Sequence, residues 1–241
     1  MRFGEFLKKA FFYLGVPKCV SCKERLLLED TAFCKLCITK YREDLGRECP
    51  VCLKQTRKCR CANKHMQAHF IKSHLKLYRY HSDECATVLD SAIYAMKNTA
   101  RDDVFDFLAD ELSLLVRDSD LKLDDAVITN IPRRKSAVLR YGDDHARLLA
   151  ERVASRLGIT YIQLFASSAK RAQKSLNREE RIANTDFKLL KETDLKGKCV
   201  IILDDLVTTG SSMCSAATLI RSLGAKDIHA LSVGYTNRVE N

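Results

Sequence analysis

One stretch limits what this chain can fold into more than any other: Val200-Ile201-Ile202-Leu203-Asp204-Asp205-Leu206-Val207-Thr208-Thr209-Gly210. It begins as an apolar run of strand length, rich in β-branched side chains, as expected for a strand covered on both faces. The run meets two carboxylates, then two hydroxyls and a glycine, then Ser211, Ser212 and a helical pattern up to Gly224. The order is strand, tight turn, helix start. Such a turn presents backbone N–H groups, hydroxyls and the positive end of a helix dipole, which together suit a phosphate. Gly210 permits the positive φ or close backbone approach that a phosphate cradle needs. The paired carboxylates suit ribose hydroxyls, or a magnesium ion carrying a phosphorylated sugar. An ordinary capped loop would explain the hydroxyls, but two aspartates at the end of a buried strand are costly without a role.

The flanking sequence repeats the alternation of strand and helix. Leu75 to Tyr80 predicts a short strand, and helical spacing follows over Cys85–Met96 and Asp103–Val116. Lys97 reads as a solvated lysine at a helix C-terminus. Ala126 to Ile131 predicts a strand that ends at Pro132-Arg133-Arg134-Lys135. Three cations there face the crevice in which open α/β sheets bind ligands, and Arg and Lys clamp phosphate oxygens well. A helix over His145–Leu157 and a short strand over Thr160–Leu164 come next, with His145 read as a capping or packing histidine. The polar, basic segment Ser167–Asn184 carries Lys170, Arg171, Gln173, Lys174, Arg178 and Arg181 and has the length and composition of a lid. A helix over Ser211–Leu223 and a last strand over Ile228–Val233 complete a βαβ unit, right-handed by the usual rule.

Cysteine usage marks a second module. Of 11 cysteines, eight form Cys19-x-x-Cys22, Cys34-x-x-Cys37, Cys49-x-x-Cys52 and Cys59-x-Cys61. Paired short spacings of this kind indicate structural zinc rather than disulfides, because each pair sets two thiolates on one tight turn. Sequential pairing gives one site from Cys19, Cys22, Cys34 and Cys37, and another from Cys49, Cys52, Cys59 and Cys61. A cross-braced pairing is the alternative, and His65 is available to replace a weak ligand. Cys85, Cys199 and Cys214 read as buried, unreactive thiols. The apolar content around the knuckles is too low to fold that segment without metal.

Charge follows the same division. Residues 1–80 hold 18 Lys+Arg against 7 Asp+Glu, whereas residues 81–241 hold 23 against 24. All the net positive charge therefore lies with the cysteines, where Lys54, Arg57, Lys58, Arg60 and Lys64 surround the second knuckle. A basic module of this kind suits a polyanion through its phosphates, with little aromatic surface for base stacking. No apolar run reaches the length of a membrane span, and Lys8 and Lys9 interrupt any signal-peptide core. The expectation is a cytoplasmic protein without stable membrane insertion, and oligomeric state is left open.

The Asp204–Gly210 stretch resembles the phosphoribosyl-pyrophosphate (PRPP) signature of type I phosphoribosyltransferases. Over nearly the whole chain the sequence resembles the ComF family, in which cysteine ribbons precede a phosphoribosyltransferase-like domain. Matching features are the cysteine pairs, Pro132 with its basic followers, Gly142, and the spaced set Gln173, Leu176, Arg181, Asn184 and Phe187. After Arg140 the family commonly has Gly-Phe-Asn-Gln, where this chain has Tyr141-Gly142-Asp143-Asp144-His145. The spacing of Phe3, Phe6, Leu7, Ala10, Phe11 and Leu14 predicts an N-terminal helix, and the resemblance implies a double zinc ribbon after it, the two together covering residues 1–70. A type I phosphoribosyltransferase-like α/β domain with a mostly parallel sheet and flanking helices would cover 71–241.

For the site, the resemblance implies that Asp204 and Asp205 hold ribose hydroxyls or associated Mg²⁺. Val207, Thr208, Thr209, Gly210, Ser211 and Ser212 would hold the 5′-phosphate. Arg133, Arg134 and Lys135 would stabilise pyrophosphate, and a lid including Lys170, Arg171, Gln173, Arg181 and Asn184 would exclude water. The implied activity is transfer of ribose 5-phosphate from PRPP to an unidentified acceptor. The alternative is a non-catalytic PRPP-sensing or single-stranded-DNA-handling protein in DNA uptake during competence.

Overall fold

The structure, a computed structural model, describes residues 17–80, 87–133, 144–167, 187–190 and 193–236. Its centre is a five-stranded sheet built from β1 (Ile71–Tyr80), β2 (Ala126–Asn130), β3 (Thr160–Tyr161), β6 (Cys199–Val207) and β7 (Asp227–Thr236). The order is β1-β7-β6-β2-β3, and every neighbouring pair is parallel. Two short strands, β4 (Phe165–Ser167) and β5 (Phe187–Leu189), pair antiparallel beside it.

The two-residue period of β6 explains the layering. Ile201 and Leu203 enter one apolar cluster with α3 (Val88–Thr99), α4 (Asp102–Arg117) and α5 (His145–Leu157). Val200 and Ile202 enter the other, with α6 (Ser211–Ser222). Burial on both faces is why this strand reads as a continuous apolar run. Among the described residues, no helix is long and apolar enough to cross a membrane.

Several boundaries differ from those the sequence predicts. β1 is ten residues long rather than a short strand, because it pairs with β7 from Ile71 to Tyr80. β3 is only two residues, with Val127 and Ile128 as its register partners. β6 carries on through Asp204 and Asp205 to Val207, whose partner is Tyr235. Helix α3 begins at Val88 because Thr87 and Asp90 form a reciprocal capping box.

The cysteine-rich segment is packed into the same core. It contributes α1 (Lys35–Leu45), a 3₁₀ turn (Thr56–Lys58) and α2 (Lys64–Ala68). Val20, Leu26, Phe33 and Tyr41 join the cluster formed by α3, α4 and α5. The rings of Phe33 and Tyr41 meet Phe107 of α4 edge-on, with centroids 4.9 and 5.3 Å away. Tyr41 also donates its hydroxyl to Glu111 at 2.7 Å. The ribbon and α4 therefore stabilise each other.

Candidate functional site

The strand order reverses between β2 and β6: β3 lies on one side of β2, and the later strands lie on the other. At such a switch point the helices leave opposite faces, and a crevice opens beyond the strand C-termini. Ile131 N–H donates to Leu203 C=O at 3.0 Å, so the end of β2 stands beside the start of the acidic pair.

Asp205 forms an ion pair with Lys97 of α3 at 2.8 Å. The reading of Lys97 as a solvated terminal lysine is thus corrected: the helix aims it at the sheet's C-terminal edge. Sequence patterning could not show this, because the contact joins elements far apart in the chain. Asp204 receives Asp205 N–H at 2.9 Å. Its carboxyl is nonetheless held well above the usual carboxylate range, first by burial and then by the Asp205 charge.

This has a consequence for stability. A carboxyl with a raised folded-state value costs the fold stability as pH rises from the unfolded value, about 4, through the folded one. Asp204→Asn is therefore expected to raise the melting temperature of the ligand-free chain by roughly 2–4 °C near neutral pH, about 1 kcal/mol for a chain this size. Thermal scans of both proteins from about pH 4 to 8 check it, since the gap should open as pH rises above the unfolded value. A variant equally or less stable throughout would contradict the assignment.

Beyond Val207, whose side chain is in the core, the turn exposes Thr208, Thr209, Ser211 and Ser212. Thr209 Oγ1 and Ser211 Oγ lie 2.9 Å apart, and Ser211 N–H donates to Thr209 Oγ1 at 3.3 Å. Gly210 has φ +82° and no side chain to cap α6. A Cβ there would stand 2.9 Å from Met66 Cγ. The ribbon itself thus closes on the turn: Asn63, the N-cap of α2, donates Nδ2 to Thr209 C=O at 3.1 Å.

On the β2 side, Asp144 caps α5 by accepting Arg147 N–H and also accepts Arg133 N–H, both at 3.3 Å. Asn130 Nδ2 donates to the same carboxylate at 3.3 Å. The Arg133 guanidinium bonds the ring of His145, which is buried and stacked on Phe105. Arg134, Lys135, Lys170, Arg171, Gln173, Arg181 and Asn184 lie outside the described residues. A cavity of about 730 Å³ between the ribbon and α4, lined in part by Leu26, Tyr41 and Phe107, includes no residue of this turn.

The cysteines gather into the two sequential tetrads, Cys19/Cys22/Cys34/Cys37 and Cys49/Cys52/Cys59/Cys61, each with its sulfurs within 4.8 Å of one another. Both first knuckles are tight hairpins: Lys23 N–H returns to Cys19 C=O at 3.1 Å, and Leu53 N–H to Cys49 C=O at 2.8 Å. Burial opposes ionisation of Cys19, yet N–H groups of Cys34, Cys22 and Ser21 bring its thiol down to about 7. Burial likewise opposes Cys49, but Cys52 and Val51 N–H groups, Cys59 and the Arg79 charge bring it to about 6. Cys37 and Cys61 are pushed up to about 12, by burial first and then by the neighbouring thiols. Four thiols this close cannot all ionise without a cation between them.

The second tetrad has further support. Lys76 and Arg79 are buried behind it; Lys76 donates to Cys61 C=O at 3.1 Å, and Arg79 Nε and Nη1 have no hydrogen-bond partner. A zinc–tetrathiolate centre carries two negative charges, the counter-charge that two buried cations need. Both tetrads could hold zinc. The basic residues around them are partly engaged, since Arg57 pairs with Glu111 at 3.1 Å and Arg60 donates to Asp118 C=O at 3.3 Å. Lys54, Lys58 and Lys64 stay exposed.

A family model described as "Phosphoribosyl transferase domain" matches residues 143–238. Ribose-phosphate pyrophosphokinase of Pyrococcus abyssi is 34% identical over 84 residues, which cover 34% of this chain and 25% of that protein. Competence protein ComFC of Streptococcus pneumoniae is 29% identical over 83 residues, covering 34% of this chain and 38% of that protein. The chain thus spans well under half the length of either relative. Among solved structures, glutamine PRPP amidotransferase from B. subtilis aligns with a TM-score of 0.41 and 16% identity, over 58% of this chain and 30% of that one. With a parallel sheet, an acidic pair running into a Thr-Thr-Gly turn, and cysteine tetrads on its N-terminal side, this chain has a phosphoribosyltransferase-like fold and is similar to ComFC.

Proposed function

We propose that the Asp204–Gly210 turn binds PRPP with Mg²⁺, and that the chain transfers its ribose 5-phosphate to an acceptor. The observation that carries this reading is the turn itself. An acidic pair at a switch point leads into a helix whose N-terminus has no side-chain cap and is ringed by hydroxyls. The 5′-phosphate would lie on the N–H groups and hydroxyls of Thr208, Thr209, Ser211 and Ser212. Asp204 and Asp205 would hold the ribose hydroxyls, with Lys97 setting the charge of the pair. Magnesium, where bound, would neutralise the pyrophosphate. Transfer breaks the bond from ribose C1 to pyrophosphate and forms one from C1 to the acceptor. Arg133, with Arg134 and Lys135, would stabilise the departing charge, and the segment with Lys170, Arg171, Gln173, Arg181 and Asn184 would exclude water. Zinc in both tetrads would hold the ribbon against α4 and the turn. Pyrophosphate release from PRPP, screened over purine and pyrimidine bases and abolished by Asp204→Ala with Asp205→Ala, tests the transferase. If PRPP binds but no base in the screen elicits pyrophosphate release, the protein is restricted to sensing.

The basic N-terminal third favours a second activity, binding of single-stranded DNA in DNA uptake. With Lys54, Lys58 and Lys64 as three phosphate contacts, log affinity should fall with log salt with a slope of about −2. Changing all three to Ala should flatten that slope, as read by fluorescence anisotropy. A slope unaffected by these changes would exclude this face. A cytoplasmic location accords with both activities.

A further inference from the structure

His65 and His69 stand four residues apart on and just after α2, so they share one face. Across from them is Cys214, in the first turns of α6 and almost wholly buried. Ligand atoms of the three lie within 4.8 Å of one another, the same closeness found within each cysteine tetrad. We propose that His65, His69 and Cys214 form a third metal site, of the zinc class, that clips the ribbon to α6.

The geometry around the imidazoles supports this. His69 Nδ1 is 2.8 Å from His65 C=O. A carbonyl only accepts, so Nδ1 carries the proton and the Nε2 lone pair is free to bind a metal. A backbone carbonyl of this kind is the partner that fixes the tautomer of metal-ligating histidines. The two rings meet edge to face, with centroids 4.5 Å apart and planes at 63°. Drawing the three donors onto a tetrahedral zinc, with bonds of about 2.0–2.3 Å, asks for shifts on the order of 1 Å. His65 is exposed and can supply them by rotation.

The donor set decides the ion. Two imidazoles and one thiolate favour zinc or copper and disfavour magnesium and calcium, which take oxygen ligands. Three protein ligands leave a fourth position for water, and the exposure of His65 opens the site to solvent. This site is therefore more exchangeable than either closed tetrad. Its place matters as well. Asn63, at the start of α2, holds Thr209 C=O, while Cys214 N–H donates to Gly210 C=O at 2.9 Å. A metal here would fasten both ends of that contact.

The test is metal content of the full chain, saturated with zinc, desalted and measured by mass spectrometry. Wild type should carry one zinc per chain more than Cys214→Ser and one more than His65→Ala. His65→Ala changes an exposed side chain and leaves folding intact, so it remains informative if the buried Cys214 variant misfolds. In the cobalt-loaded protein, the thiolate-to-cobalt band should lose one sulfur's intensity in Cys214→Ser. It should shift, without losing a sulfur, in His69→Ala. Equal zinc content in wild type and His65→Ala, with unchanged cobalt spectra, would overturn the site.

Discussion

Chelation of zinc should cost the chain far more than its cysteine-rich segment. Structural zinc contributes about 10–16 kcal/mol of apparent folding free energy in isolated fingers. Here the ribbon lends Val20, Leu26, Phe33 and Tyr41 to the core shared with α3, α4 and α5. Removing metal, or changing Cys19 and Cys37 to Ser, should expose Phe107 and the apolar face of α4. If only about 4 kcal/mol of the zinc contribution reaches the sheet domain, melting drops by roughly 10 °C. Calorimetric scans with and without chelator measure this. Unchanged melting and circular dichroism after complete metal removal would show that the tetrads are not structural.

The second large effect centres on Gly210. Its φ of +82° disfavours any side chain, and a Cβ would meet Met66 Cγ at 2.9 Å and Sδ at 3.1 Å. Gly210→Val adds β-branching to both problems and should destabilise the chain by about 2–4 kcal/mol. Met66 belongs to the ribbon helix, so the substitution also pushes the ribbon from the turn. Binding of PRPP should fall at least tenfold even in folded protein, because the turn's N–H groups lose their alignment. Pairing Gly210→Val with Met66→Ala separates the two causes. Met66 is itself buried, so the comparison is with Met66→Ala alone: in that background Gly210→Val should cost less stability than in wild type, while binding stays weak because the backbone strain persists. Full recovery of binding would place the whole effect in the contact.

What the sequence made legible follows from the range over which its signals act. Strand β6, the turn and α6 are local: a two-residue apolar period, a glycine needing positive φ and a helical period sit within one continuous stretch. The cysteine pairs are local too, and their spacing suits the grouping found in space. Contacts between elements were not legible. Lys97 reaches Asp205 only because α3 ends at the sheet's C-terminal edge. The sequence groups Arg57 with the cations suited to phosphates, but Glu111 on the docked α4 pairs with it. Cys214 read as an inert core thiol because nothing near it in the chain shows that His65 and His69 lie opposite. The length of β1 was hidden for a similar reason. Its polar residues Ser73, His74 and Lys76 break the strand pattern, yet His74 Nε2 is 2.8 Å from Ser232 Oγ on the neighbouring strand.

The central claim is that the acidic pair and the turn after it form a working PRPP site. Calorimetric titration of the zinc-loaded chain with PRPP and Mg²⁺ tests it most directly. The expected result is saturable binding with a dissociation constant between about 1 μM and 1 mM, the range in which enzymes commonly hold substrates. Thr209→Ala, or Asp204→Ala with Asp205→Ala, should abolish that binding in a chain that still melts cooperatively. Heat no greater than that of dilution at millimolar PRPP, from wild-type protein with its zinc in place, would contradict the account.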